Sequence, residues 1–172
     1  MGAASLPVGR ARKTVDPKGR VQLPVGQSRA LGESVWVSPG FGTFLQAYSE
    51  ERWEAYAARL AEILEWGPVE LRDSLRHVLG QAVKATVDPQ HRLVIPRELL
   101  DLADLPSADS ADSRDVIVLG TGICVEIWNP DHLAEHEAAT KPQLPAIWNS
   151  VSDLVRATPA RPVAAPSADG TQ

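Results

Sequence analysis

Apolar residues along this chain arrive in short extended runs, and the runs recur in the same order. Val35-Trp36-Val37 and Thr43 to Tyr48 read as strands around the turn Gly40-Phe41-Gly42. Val116-Ile117-Val118 and Ile123 to Trp128 repeat that arrangement around Gly120-Thr121-Gly122. Short apolar runs bounded by glycine are the pattern of strands joined by turns. A helix signal follows each pair. Ser49 can cap backbone N–H groups, with Glu50 and Glu51 complementing the positive end of the dipole. Asn129 followed by Pro130 is a cap with proline at the first helical position. In the first of these helices Trp53, Tyr56, Ala57, Leu60, Ile63 and Leu64 make one stripe at helical spacing, a face for core packing. Val69 to Val83 predicts a further helix between the two arrangements, and Ala146 to Arg156 a short amphipathic one near the end.

Ahead of each strand pair stands nearly the same stretch: TVDPKGRVQLP from Thr14 and TVDPQHRLVIP from Thr86. An internal repeat of this kind decides the architecture. Asp-Pro-Lys-Gly is a strong type I turn signal, with Asp first, Pro preset for the second position and Gly at the fourth. Apolar residues on both sides make it a link between two strands. Asp16 lies close enough to Arg20 to hold its guanidinium or the neighbouring backbone, and Asp88 and Arg92 repeat the spacing. His91 stands where the first copy has Gly19, a less comfortable residue if φ there is positive. A lone hairpin is not stable in water; two such units packed together can close one core. The second copy is about eight residues longer, and the polar stretch Ser107 to Asp115 reads as the surface loop that holds the difference.

At 172 residues the chain makes one ordinary domain or two small ones. Hydrophobic content of 44% and charged content of 23% suit a soluble globular protein. One cysteine, Cys124, cannot form an internal disulfide, and its apolar setting predicts a buried, inert thiol. No run is long enough for a transmembrane helix or a secretion signal, so the cytoplasm is the expected location. The net charge of −5 is unevenly spread: Arg10, Arg12, Lys13, Lys18, Arg20 and Arg29 face Asp16 alone in the first 30 residues. Such asymmetry suggests a basic face aimed at a polyanion, or else a solvated basic arm.

The repeated Asp-x-x-x-Arg with a following apolar-Pro (Asp16, Lys18, Gly19, Arg20 and Pro24; Asp88, Arg92 and Pro96), together with Glu126-Ile127-Trp128, resembles the MraZ family. The resemblance covers about Arg10 to His136. It implies an α+β fold of two tandem AbrB/SpoVT-like swapped-hairpin halves sharing one pseudo-twofold β core with flanking helices. The implied division is residues 8–66 and 83–140 as the two repeats, 67–82 as a linking helix and 141–172 as a Pro/Ala-rich tail, largely disordered. It also implies a DNA-binding transcriptional regulator, a repressor of the division and cell-wall gene cluster, working as a ring-shaped homo-oligomer on short direct repeats in promoter DNA, nucleoid-associated. Arg20 is then the principal DNA contact, with Lys18 beside it and Arg12, Lys13 and Arg10 adding positive charge. Asp16, Gly19, Asp88 and Arg92 are motif residues that shape the turns.

Other readings compete. Arg20 can be a mere staple to Asp16, but five basic neighbours and the weight of phosphate contacts favour DNA. Arg92 reads as the staple, since Gln90 and His91 remove charge from its copy. A relative of AbrB or an antitoxin, acting mainly as a protein-interaction module through the segment around Trp148 or regulating another operator, is the alternative. An enzyme is not expected: His132 and His136 sit at i, i+4 without a third metal ligand, and each lone G-x-G is explained by a turn. No metal or cofactor is expected.

Overall fold

A computed structural model of the protein describes residues 6–106 and 114–158. The expected loop at Ser107 to Asp115 and the disorder expected over 157–172 therefore lie mostly outside the described residues. The chain divides into two compact units, residues 1–134 and 135–172.

The first unit is an antiparallel β structure with helices. Its first copy runs β1 (Val8–Thr14), β2 (Arg20–Gln22), α1 (Val25–Leu31), β3 (Ser34–Pro39), β4 (Phe44–Ser49) and α2 (Glu50–Trp66). A 3₁₀ turn (Val69–Leu71) and α3 (Arg72–Gly80) follow. The second copy runs β5 (Val83–Thr86), β6 (Arg92–Val94), α4 (Arg97–Leu102), β7 (Asp115–Thr121), β8 (Val125–Trp128) and α5 (Pro130–Thr140), the last of which continues into the second unit from Glu135. Six strands form one sheet in the order β1-β7-β8-β4-β3-β5, and β2 pairs with β6 in a separate ribbon. Each copy's first strand pairs with the other copy: β1 lies along β7, from Val8 opposite Thr121 to Thr14 opposite Asp115, and β5 lies along β3. Neither copy is complete without the other.

The alternation of side chains explains this. Val15, Val21 and Leu23 of the first copy and Val87, Leu93 and Ile95 of the second are all buried in one cluster, with Val35, Val37, Val116 and Val118 from the sheet. Each such side chain contributes about 1.5–3 kcal/mol on burial, a gain open only when both copies meet. The proline closing each repeat has the same task twice. Pro24 and Pro96 end their strands with φ near −57° and launch α1 and α4. Glu126-Ile127-Trp128 is likewise structural: Ile127 is in the core, Trp128 stacks on Phe44 with ring centroids 4.1 Å apart, and Trp128 Nε1 donates to Glu126 at 2.8 Å.

Several boundaries differ from the sequence expectation. The helix expected over Val69–Val83 is a 3₁₀ turn followed by α3, which stops at Gly80, because Val83 is taken by β5 opposite Val37. The stripe on α2 runs to Leu64, which packs against Leu60, Leu75 and Val78, with one exception. Trp53 and Leu60 are buried, but Ile63 is 41% exposed. Ile123 lies outside β8 and is exposed, whereas Cys124 beside it is buried. Ser49 caps α2 as expected, accepting from the Arg52 N–H at 3.4 Å. Asn129 Oδ1 accepts from the Asp131 N–H at 2.9 Å at the head of α5.

In the second unit, Lys141–Gln143 is a 3₁₀ turn and α6 spans Leu144–Ala157. The short amphipathic helix expected over Ala146 to Arg156 is thus present, beginning two residues earlier and ending one later. Leu144, Ile147, Trp148, Val151, Leu154 and Val155 recur at helical spacing, and that periodicity outweighs the Pro/Ala composition.

Candidate nucleic-acid interface

Each repeated turn is tied by its aspartate. Asp16 Oδ1 accepts the backbone N–H groups of Lys18 at 2.9 Å and Arg20 at 3.0 Å, while Oδ2 accepts Arg20 Nε at 2.6 Å. Asp88 repeats this with the N–H groups of Gln90 and Arg92 at 2.9 and 3.0 Å, and Arg92 Nε at 2.7 Å. Partial desolvation pushes the Asp16 carboxyl up, but the Arg20 N–H, its guanidinium and the Lys18 N–H outweigh that, leaving it below the ordinary carboxylate value. Asp88 is lowered in the same way against the same desolvation, by Arg92 and the Gln90 N–H. Charge-assisted bonds of this type are the strong ones.

The fourth position of each turn has positive φ, 73° at Gly19 and 61° at His91. A β-carbon on Gly19 would sit 2.8 Å from the Ile95 carbonyl oxygen and 3.5 Å from Leu100 Cδ1. At the second turn the residue corresponding to Leu100 is Ser28, on α1 of the first copy, and its Oγ is 2.9 Å from His91 Nδ1. The smaller serine leaves room for the imidazole and gives it a partner.

Beyond the turns, β2 and β6 form a ribbon with Arg20 opposite Val94, Val21 opposite Leu93 and Gln22 opposite Arg92. Directly opposed residues share a face. Val21 and Leu93 point into the core at 0% exposure, so Arg20, Gln22, Arg92 and Val94 make up the outer face. The two arginine side chains are each 27% exposed. The geometry therefore does not separate Arg20 from Arg92. Both are clasped by an aspartate, and both reach solvent from the same ribbon face. Sequence reasoning parted them because it weighed the charge around each, whereas the strand pairing sets them on one diagonal.

The other basic residues of the leading segment divide in space. Register places Arg10 and Arg12 on the sheet face of Leu119 and Ile117, and Lys13 on the opposite face with Val116. Arg12 Nε is 3.1 Å from Asp115 Oδ2. Lys18 is exposed at the first turn. Arg29 lies beside the second turn, lining a cavity of about 330 Å³ with Ser28, Glu33, Asp88 and His91. One basic segment of sequence becomes four separate placements.

Cys124 is buried, and burial pushes its thiol up from the ordinary value. Among the described residues no three His, Cys, Asp or Glu side chains gather as a metal site requires. His132 instead faces Asp104 at 3.9 Å. No described helix is long and apolar enough to cross a membrane.

The chain is similar in sequence to known proteins over most of its length. Transcriptional regulator MraZ of Thermoanaerobacter sp. (strain X514) is 31% identical over 147 residues, 86% of this chain and 97% of that protein. Transcriptional regulator MraZ of Leuconostoc citreum (strain KM20) is 32% identical over 133 residues, covering 77% of this chain and 87% of its own. That of Roseiflexus sp. (strain RS-1) is 32% identical over 123 residues, 72% of this chain and 80% of its own. No family model matches the chain. The protein belongs to the MraZ family.

Proposed function

We propose that this protein is a sequence-specific DNA-binding transcriptional regulator, and that it meets duplex DNA through the outer face of the β2–β6 ribbon. The observation that carries this reading is the pair of clasped, partly exposed arginines on that face, Arg20 and Arg92. A two-stranded ribbon is slim enough to enter the major groove, and arginine is suited to bidentate contact with guanine. The clasp fixes each guanidinium through Nε. Such preorganisation lowers the entropy lost on binding. Lys18 adds a phosphate contact at the first turn. Of the β1 cations, Arg10 and Arg12 act from one face and Lys13 from the other, so all three do not serve the same groove.

The fold reading that goes with this function is two swapped-hairpin units of the AbrB/SpoVT kind, residues 8–66 and 83–140, joined through residues 67–82. The regulator acts as a repressor on short direct repeats in the promoter of the division and cell-wall gene cluster. It works in the cytoplasm at the nucleoid, as a ring-shaped homo-oligomer that gains affinity when several protomers engage at once. The apolar stripe on α6 favours a second role in protein contact. Truncation after Ala138 separates the two, because lost partner binding with retained DNA binding assigns that role to the tail.

Titration of the protein against duplex from upstream of its own gene, beside a scrambled duplex, tests the reading across a range of salt. Tighter binding to the native duplex and steep weakening with salt are expected. Equal binding to both duplexes contradicts sequence-specific regulation, and a flat salt response contradicts a phosphate-driven interface.

A further inference from the structure

The outer ribbon face is symmetric in its arginines and asymmetric in everything else. Exchanging the two copies replaces Arg20 by Arg92, an identical side chain in an identical clasp. The same exchange replaces Gln22 by Val94. These two residues occupy the other diagonal of the four-residue face, Gln22 opposite Arg92 and Val94 opposite Arg20. Resting on the reading that this face meets DNA, we propose that Gln22 and Val94 are specificity-determining residues that give the ribbon a direction on its site. Gln22 reads an adenine at one end and Val94 contacts a thymine methyl at the other.

Gln22 is exposed, but its side chain is held: Nε2 donates to the Gln90 carbonyl at 2.8 Å across the ribbon. That bond uses one of the two amide hydrogens. The second N–H and Oε1 remain as one donor and one acceptor. Adenine in the major groove offers the complementary pair, N7 as acceptor and N6–H as donor. Fixing the amide before binding reduces the ordering cost of the contact.

Val94 is 38% exposed, while its strand neighbour Leu93 is at 0% in the core. An aliphatic side chain on a face otherwise made of Arg, Gln and Arg has little to gain from water. The thymine C5-methyl is the one apolar group that base pairs present in the major groove. Residues two apart on one strand are separated by about 6.6–6.8 Å, and base pairs rise by about 3.4 Å. Gln22 therefore falls about two base steps from Arg20 along the groove, and Val94 about two from Arg92. A site read in this way has distinct ends. Turned around, it places the glutamine against the methyl and the valine against the adenine edge, and both contacts are lost.

The test is the full chain against a duplex panel in which each base pair of its upstream site is substituted in turn, read by fluorescence anisotropy. Gln22→Val, Val94→Gln and the double exchange are measured beside the wild type, with far-UV circular dichroism confirming the fold of these exposed-face variants. Gln22→Val is expected to erase the preference for adenine at one position, about 5- to 100-fold, with the remaining preferences intact. Val94→Gln is expected to erase a thymine preference at the other end, and the double exchange to favour the reversed site over the original. Wild-type base preferences in all three variants overturn the proposal while leaving ribbon binding in place. A wild type without preference for any duplex removes the DNA reading beneath it.

Discussion

The two copies of the turn build the same backbone from different pairs of residues. In the first, Gly19 takes φ of 73° and leaves Leu100 to fill the space above it. In the second, His91 takes φ of 61°, and Ser28 replaces the leucine and bonds the imidazole. The Asp–Arg clasp, by contrast, is the same in both copies to within 0.1 Å at the Nε bond, 2.6 against 2.7 Å. What is kept identical is the placement of the two arginines, and what varies is the packing behind them. The difference teaches that the turn's geometry, rather than its glycine, is the common requirement.

The largest effect expected from breaking this comparison is at Gly19. Gly19→Ala adds a β-carbon against the Ile95 carbonyl in a left-handed conformation, and should cost about 2–3 kcal/mol in urea unfolding. Gly19→His combined with Leu100→Ser imports the second copy's pair into the first. Its loss should be smaller than the sum of the two single losses, the coupling expected of residues in contact. Strict additivity would show that the two pairs are not alternatives.

Next come the clasps. Asp16→Ala and Asp88→Ala each orphan two backbone N–H groups and a guanidinium, and should lower the thermal midpoint by similar amounts, on the order of 3 °C. Unequal losses would show that the two turns are not energetically matched. Because both folded carboxyl groups titrate below their ordinary value, their contribution is fully present above a pH of about 4 and fades as pH falls through the folded values. Urea midpoints measured from neutral to acid pH should therefore drop at the acid end, and less so in Asp16→Asn.

The smallest effect is expected at His91. His91→Gly relieves a left-handed residue worth about 1–2 kcal/mol and forfeits a hydrogen bond worth about 1 kcal/mol. The net change in unfolding free energy should stay within about 1 kcal/mol. A loss as large as that of Gly19→Ala would mean that the Ser28–His91 pair stabilises the second turn far more than its geometry suggests.

Much of this was legible along the chain. The turn chemistry, the strand pairs, the helix caps and the doubling itself follow from local signals: Asp-Pro followed by a φ-tolerant residue, alternating apolar runs, Ser49 and Asn129. That Arg20 and Arg92 share one face was not legible, because the charges near each in sequence differ while only strand pairing across 72 positions brings them to the same ribbon. Ser28 as the partner of His91 was hidden for the same reason, lying 63 residues away on another element. The scatter of Arg10, Arg12 and Lys13 could have been suspected from the period-2 alternation of a strand. Whether a basic segment is one face or two depends on its being extended.

The most direct measurement is binding of wild type, Arg20→Ala and Arg92→Ala to the upstream duplex at physiological salt. If the outer ribbon face meets DNA, each variant loses about 1–3 kcal/mol of binding free energy per engaged protomer, and the two losses are of similar size. Wild-type affinity in both variants would place the interface elsewhere on the molecule.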